Sequence, residues 1–155
     1  TCALLLLLPC ASPPTQREVF VAPNAPADKP VDTAGSAEME RMDHLIAPYV
    51  EQARATYPQA KKRFLAGLPP GQSFFVTTRI HDGTGAFEQV FIAVDRIDGS
   101  TINGRIWNDL GLVRGYDRGD QYRFEEAKIL DWLIANPDGT EEGNFVGKFI
   151  DTLSE

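Results

Sequence analysis

The chain has 155 residues, of which 43% are hydrophobic and 24% charged, and its formal net charge is -7. That composition is ordinary for a globular domain, and the length suits one core, which excludes a fibrous or wholly disordered architecture. The acidic balance excludes functions that rest on clustered Lys and Arg, such as binding nucleic acid or an anionic membrane surface; the basic triplet Lys61, Lys62 and Arg63 reads as a solvated helix face.

The chain opens with a leucine run over residues 4–8, closed by Pro9 and Cys10. A membrane-spanning helix needs about 20 apolar residues, so this short stretch reads as an export signal. It resembles a bacterial lipoprotein signal, with Leu7, Leu8, Pro9 and Cys10 at the lipobox positions and Cys10 as the expected lipid attachment. Pro9 departs from the small residue usual there, and the missing initiator Met and basic leader point to a truncated start. Cys2 and Cys10 both fall in this segment, so no disulfide, thiolate nucleophile or cysteine metal site is expected in the body of the protein.

Residues 11–36 form a Pro- and Ala-rich tether, with Pro13, Pro14, Pro23, Pro26 and Pro30 too closely spaced for helix or sheet. Val19, Phe20 and Val21 are its apolar cluster. A single domain is expected over residues 37–155. Ser36 is placed to cap a short helix whose apolar face is Met39, Met42, Leu45 and Ile46. Pro48 fits the first turn of a second helix, and Tyr49, Val50, Ala53, Tyr57, Ala60 and Phe64 recur at steps of three and four. A kinked amphipathic helix over residues 48–66 follows.

Beyond the breaker at residues 67–71 the period becomes two. Phe74, Val76, Thr78 and Ile80 share one face of a strand, and Val90, Ile92 and Val94 one face of the next. Asp98 and Gly99 signal a tight hairpin into a third strand with Ile102, Gly104 and Ile106 on one face. Tyr122 and Phe124 mark a fourth short strand, and residues 129–134 a fifth element after a single turn at 125–128. Asn144 is placed to cap a last helix with the stripe Phe145, Phe149, Ile150 and Leu153. The expected fold is α+β: a small, curved antiparallel sheet or partly open barrel of about five strands, covered by an N-terminal kinked helix and a C-terminal helix.

Residues 46–153 carry a pattern of Ala53, Arg54, Phe64, Phe75, Val76, Glu88, Phe91 and Ile92. It continues through residues 104–108, Gly119, Asp120, Ile129, Asp131 and Trp132, and closes at residues 143–148. This pattern resembles the YegJ-like family of bacterial domains of unknown function. Gln89 and Val90 stand where that family would place His and Trp, and residues 110–116 are altered. The resemblance implies no activity, cofactor or catalytic residue.

His81 beside Asp82 is the most enzyme-like pair, but neighbours on a strand point to opposite faces. His44 beside Asp43 meets the same objection on a helix. The chain has no G-x-S-x-G elbow, and its two histidines make a zinc site a poor expectation. Residues 138–143 match the first half of a calcium loop, yet its twelfth position is Phe149, so a polar turn is expected. Asp131 is expected to point away from an inward Trp132 and to cap the turn at 125–128. A recognition patch of Arg105, Trp107 and Asp131, with His81, is the alternative.

The leading expectation is thus a binding or interaction module without catalysis or cofactor, exported and tethered to the envelope on its periplasmic side. Its partner is an unidentified protein or small molecule, its only link to a membrane is a lipid anchor, and it is expected to be a monomer. One rival is a small hydrolase-type enzyme using His81 with Glu88 or Asp95. Another is an immunity-type protein whose acidity suits a basic toxin.

Overall fold

The computed structural model describes residues 36–153, so the expected signal segment with Cys10, and the expected tether up to residue 35, lie outside the described residues. One helix, α1 (Ser36–Ala66), spans 31 residues, where the sequence pointed to two. Pro48 and Pro58 both sit inside it. Each removes an amide that would bond the carbonyl four residues earlier. Those carbonyls belong to His44 and Arg54, and both prolines and both of these residues lie on the exposed side of the helix, open to water. The buried stripe is Ile46, Ala53, Tyr57 and Ala60, all at steps of a helical face.

The sheet follows as β1 (Ser73–His81), β2 (Phe87–Asp98), β3 (Thr101–Ile106), β4 (Gln121–Glu125), β5 (Asp131–Ala135) and β6 (Glu141–Gly143), with a 3-10 turn at Glu126–Lys128. The order across it is β4-β3-β2-β1-β5-β6, each neighbouring pair antiparallel. It is an open six-stranded sheet. The added strand is β6, whose acidic residues give no apolar alternation to read. A second helix, α2 (Phe145–Leu153), ends the described chain and stacks on α1 through Tyr49 and Phe149, ring centroids 4.3 Å apart.

Two local departures have clear causes. Asp98 pairs with Thr101, so the hairpin loop is Gly99 and Ser100, one residue later than the Asp-Gly signal placed it; Gly99 takes the left-handed conformation (φ 61°) that the turn requires. The register also slips between Val94 and Arg96, which places Asp95 in a bulge. The extra residue restores Ile97 to the face already held by Val94, and both enter the same core.

That core lies between α1 and one face of the sheet, built on Phe74, Val76, Val90, Ile92, Ile102 and Trp132. Trp132 fixes the helix on the sheet: its indole N–H donates to Ala53 O (3.1 Å) and to Thr56 Oγ1 (3.0 Å). Arg54 donates to Ile129 O at 2.9 Å, and Lys61 pairs with Glu126, to which the Tyr57 hydroxyl also donates. Burial beside that carboxylate raises the Tyr57 phenol far above its ordinary range. The opposite face carries a second cluster of Phe75, Phe91, Ala93, Leu133 and Ala135, with Trp107 packed against it.

Candidate functional site

Strand register decides which of the expected site residues meet. In β1, Thr77 lies opposite Phe91 on one side and Asp131 on the other, while His81 lies opposite Phe87 at the hairpin end. Trp107 continues the row of Phe91 through its amide, which donates to Phe91 O at 2.8 Å. Arg105, Trp107, Asp131 and His81 therefore share the face opposite α1 by register, but they occupy three different places on it.

Arg105 and Trp107 are neighbours at the β3 end. Arg105 donates to Gly119 O at 3.2 Å and stands 3.9 Å from the Asp95 carboxylate. Trp107 meets Phe75 edge-on at 5.8 Å, and the Arg118 guanidinium lies 4.9 Å from its ring centroid.

Asp131 has a different task from the one expected. It is buried to 1% exposure, and its two oxygens accept from the Trp132 amide (2.8 Å) and the Val146 amide (2.6 Å). It thus caps α2, not the turn at 125–128, because β6 carries the chain back beside β5 and delivers the α2 amides to it. Asn144, placed by sequence to cap that helix, holds the left-handed backbone at its entry (φ 57°) and directs its side-chain amide to Glu141 instead. Burial pushes the Asp131 carboxyl up to about 6, against the opposing pull of the amides that donate to it.

The His81 proposals separate in the same way. His81 is exposed, with its ring 5.3 Å from Phe87. Asp82 is engaged elsewhere: it accepts from the Thr84 hydroxyl and from the Thr84, Ala86 and Arg114 amides, which hold its carboxyl down at about 2. Glu88 pairs across the hairpin with Ile80, on the face opposite His81. It is 97% shielded, and its carboxylate receives the Gly111 and Val113 amides, each at 2.9 Å. Asp95 lies in the bulge eight residues along β2 from Phe87, about 25 Å at strand rise. Hairpin pairing therefore does not bring either carboxylate to His81.

Glu88 instead holds the loop after β3. Asn108 assists by accepting from the Phe91 amide at 2.6 Å, and Asp120 O receives the Ile106 amide. The calcium-like run is a turn in which Asp138 accepts from the Thr140 amide and hydroxyl, while Glu142 pairs with Arg63. Among the described residues no group of three His, Cys, Asp or Glu is placed to hold a metal ion, and no helix is long and apolar enough to cross a membrane.

Sequence reading passed over the cleft at the hairpin end, lined by Met39, Met42, Asp43, Arg79, Phe87 and Gln89. Arg79 pairs with Asp43 through both terminal nitrogens and lies 5.0 Å over the Phe87 ring. Its Nε–H has no hydrogen-bond partner among the described residues. The available signal was a lone arginine inside an apolar strand; its partner sits 36 residues away on a helix.

No curated protein and no solved structure matches the chain. A family model matches residues 43–155, a span that takes in most of α1, the whole sheet and α2. Over that span the chain belongs to the DUF2314 family, described as an uncharacterized protein conserved in bacteria.

Proposed function

We propose that the protein is a YegJ-like binding or interaction module without catalysis, exported and tethered on the periplasmic side of the envelope, with Cys10 as the lipid attachment and residues 11–36 as the spacer. The observation that carries the reading is the cleft at the hairpin end. Met39, Met42 and Phe87 supply an apolar wall, and the partly exposed Arg79–Asp43 ion pair supplies polar groups beside it. An apolar wall beside one polar pair suits recognition of a small polar group or a peptide segment. His81 and the Arg105–Trp107 pair extend the contact surface along the same face.

Photo-crosslinking in intact bacteria, with a reactive residue in place of Gln89, tests the binding reading. One defined adduct is expected, lost in Arg79→Ala and kept in His81→Ala. A turnover that vanishes in His81→Ala would replace it with the enzyme reading. Fractionation tests the tether: the wild-type chain is expected with the membranes and Cys10→Ala in the soluble periplasm, and a cytoplasmic chain would sink it.

A further inference from the structure

The sheet has an open edge at β4. Between β3 and β4 the Ile106 amide donates to Asp120 O at 3.0 Å, and the Glu126 amide to Ser100 O at 2.8 Å. Both bonds fit the register that pairs Gly104 with Tyr122 and Ile102 with Phe124. Bonded pairs alternate along an antiparallel ladder, so Tyr122 and Phe124 turn their amides and carbonyls to β3, while Gln121, Arg123 and Glu125 turn theirs outward. Among the described residues no strand lies on that side, and all three of these residues are exposed.

The side chains along this edge carry both signs of charge. Arg123 and Glu125 are successive members of one strand row, on the face that also holds Arg105. Glu125 is anchored, its carboxylate accepting from the Ser100 hydroxyl at 2.8 Å and the Thr101 hydroxyl at 3.0 Å. The Arg123 guanidinium has no hydrogen bond or ion pair with another described residue. Charges protect an edge when they repel a like edge. This row does not repel itself in every register: antiparallel pairing about Phe124 sets Arg123 of each copy opposite Glu125 of the other. Pairing about Arg123 would set like charges face to face and is disfavoured.

We propose that β4 is the interface with a second copy of this chain, in place of the monomer expected from the sequence. The two β4 strands pair antiparallel about Phe124 under a two-fold axis, and the two sheets run on as one. The outward amides and carbonyls of Arg123 and Glu125 bond those of the partner's Glu125 and Arg123, and the same residues form ion pairs across the seam. The net charge of -7 on each copy opposes approach at long range, so the affinity is moderate. β3 separates this edge from the strands that line the Arg79 cleft, and pairing leaves that cleft open in both copies. The inference stands on strand register and does not depend on the binding reading.

Sedimentation velocity and amide exchange of the full chain across a range of concentrations, with its cysteines kept reduced, provide the test. The sedimenting mass is expected to double as concentration rises, and the outward Arg123 and Glu125 amides to gain protection in step. Arg123→Glu and Glu125→Arg are each expected to weaken the dimer about tenfold, and the variant carrying both is expected to restore it. Slow exchange of the Trp132 indole N–H reports that each variant is folded; if Glu125→Arg is not, Glu125→Gln gives the same readout in milder form. A chain that stays monomeric at every concentration would overturn the proposal. A dimer indifferent to both charge reversals, or one that the double variant fails to restore, would overturn it as well. Protection of the two amides that does not depend on concentration would also overturn it, and would assign the edge to another segment of the same chain.

Discussion

Asp131 Oδ2 accepts the Val146 amide at 2.6 Å, so the strand residue that opens β5 caps the helix that closes the domain. The bond crosses 15 residues and ties β5, β6 and α2 into one unit. Asp131→Ala removes the cap and leaves buried amides without an acceptor, which is expected to cost about 2–3 kcal/mol. Urea unfolding with amide exchange at Val146 checks it; a loss below about 0.5 kcal/mol would rule out this role.

The same carboxyl gives a pH dependence of defined sign. Its folded-state value, about 6, lies above the ordinary 3.8, so between these values the folded state holds more protons than the unfolded one. The contribution is full below about pH 4 and falls as pH rises through about 6, by at most about 3 kcal/mol. Unfolding free energies of wild type and Asp131→Asn compared between pH 4 and 7 should show that slope in the wild type alone. A wild-type stability rising more steeply than the variant's over this range would contradict it.

Trp132 bonds α1 to the sheet through its indole N–H, and Trp132→Phe keeps an aromatic ring in the core while removing both hydrogen bonds and one of the two fused rings. The expected cost is about 2–3 kcal/mol, part of it from the lost hydrogen bonds and part from the cavity. Thermal unfolding measures it. Amide exchange in α1 should rise more than in β2 and β3; uniform exchange changes would show that the bond is not what holds the helix.

Gly104 sits where β3 passes closest to β2. An added Cβ would lie 2.2 Å from Ala93 O and 2.6 Å from Ile92 Cγ2, both fixed in the sheet. Gly104→Ala is expected to lose about 3 kcal/mol or more, because the Ala93 carbonyl cannot withdraw without disturbing the strand pairing. A variant with wild-type melting temperature would show that the sheet yields there.

Glu88 is a structural carboxylate in this protein. Glu88→Ala leaves the Gly111 and Val113 amides without their acceptor, at an expected cost of about 2 kcal/mol or more. Their exchange should accelerate while strand amides of β1 stay protected. Unchanged exchange at both positions would mean that the loop is held by other contacts.

The α+β class, the meander of β1, β2 and β3, and the inward sets of those strands were legible because alternation with one apolar face is a local signal. Prolines misled at α1: a rule about mid-helix cost does not register which side of the helix will face water. The pairing of Arg79 with Asp43, the tie of Glu88 to the Gly111 and Val113 amides, and the hold of Asp131 on Val146 join residues 15 to 36 apart, and no periodicity encodes them.

By itself, then, the sequence determined the strand faces, the turns and the buried helix stripe, since each follows from the chain's local period and its turn chemistry. Only the tertiary structure decided that Asp131 serves α2, that His81, Glu88 and Asp95 stand apart, and that the sheet has a second sealed face. Those outcomes follow from strand order and register, which bring distant amides and carboxylates together through the free energy of burying and satisfying them.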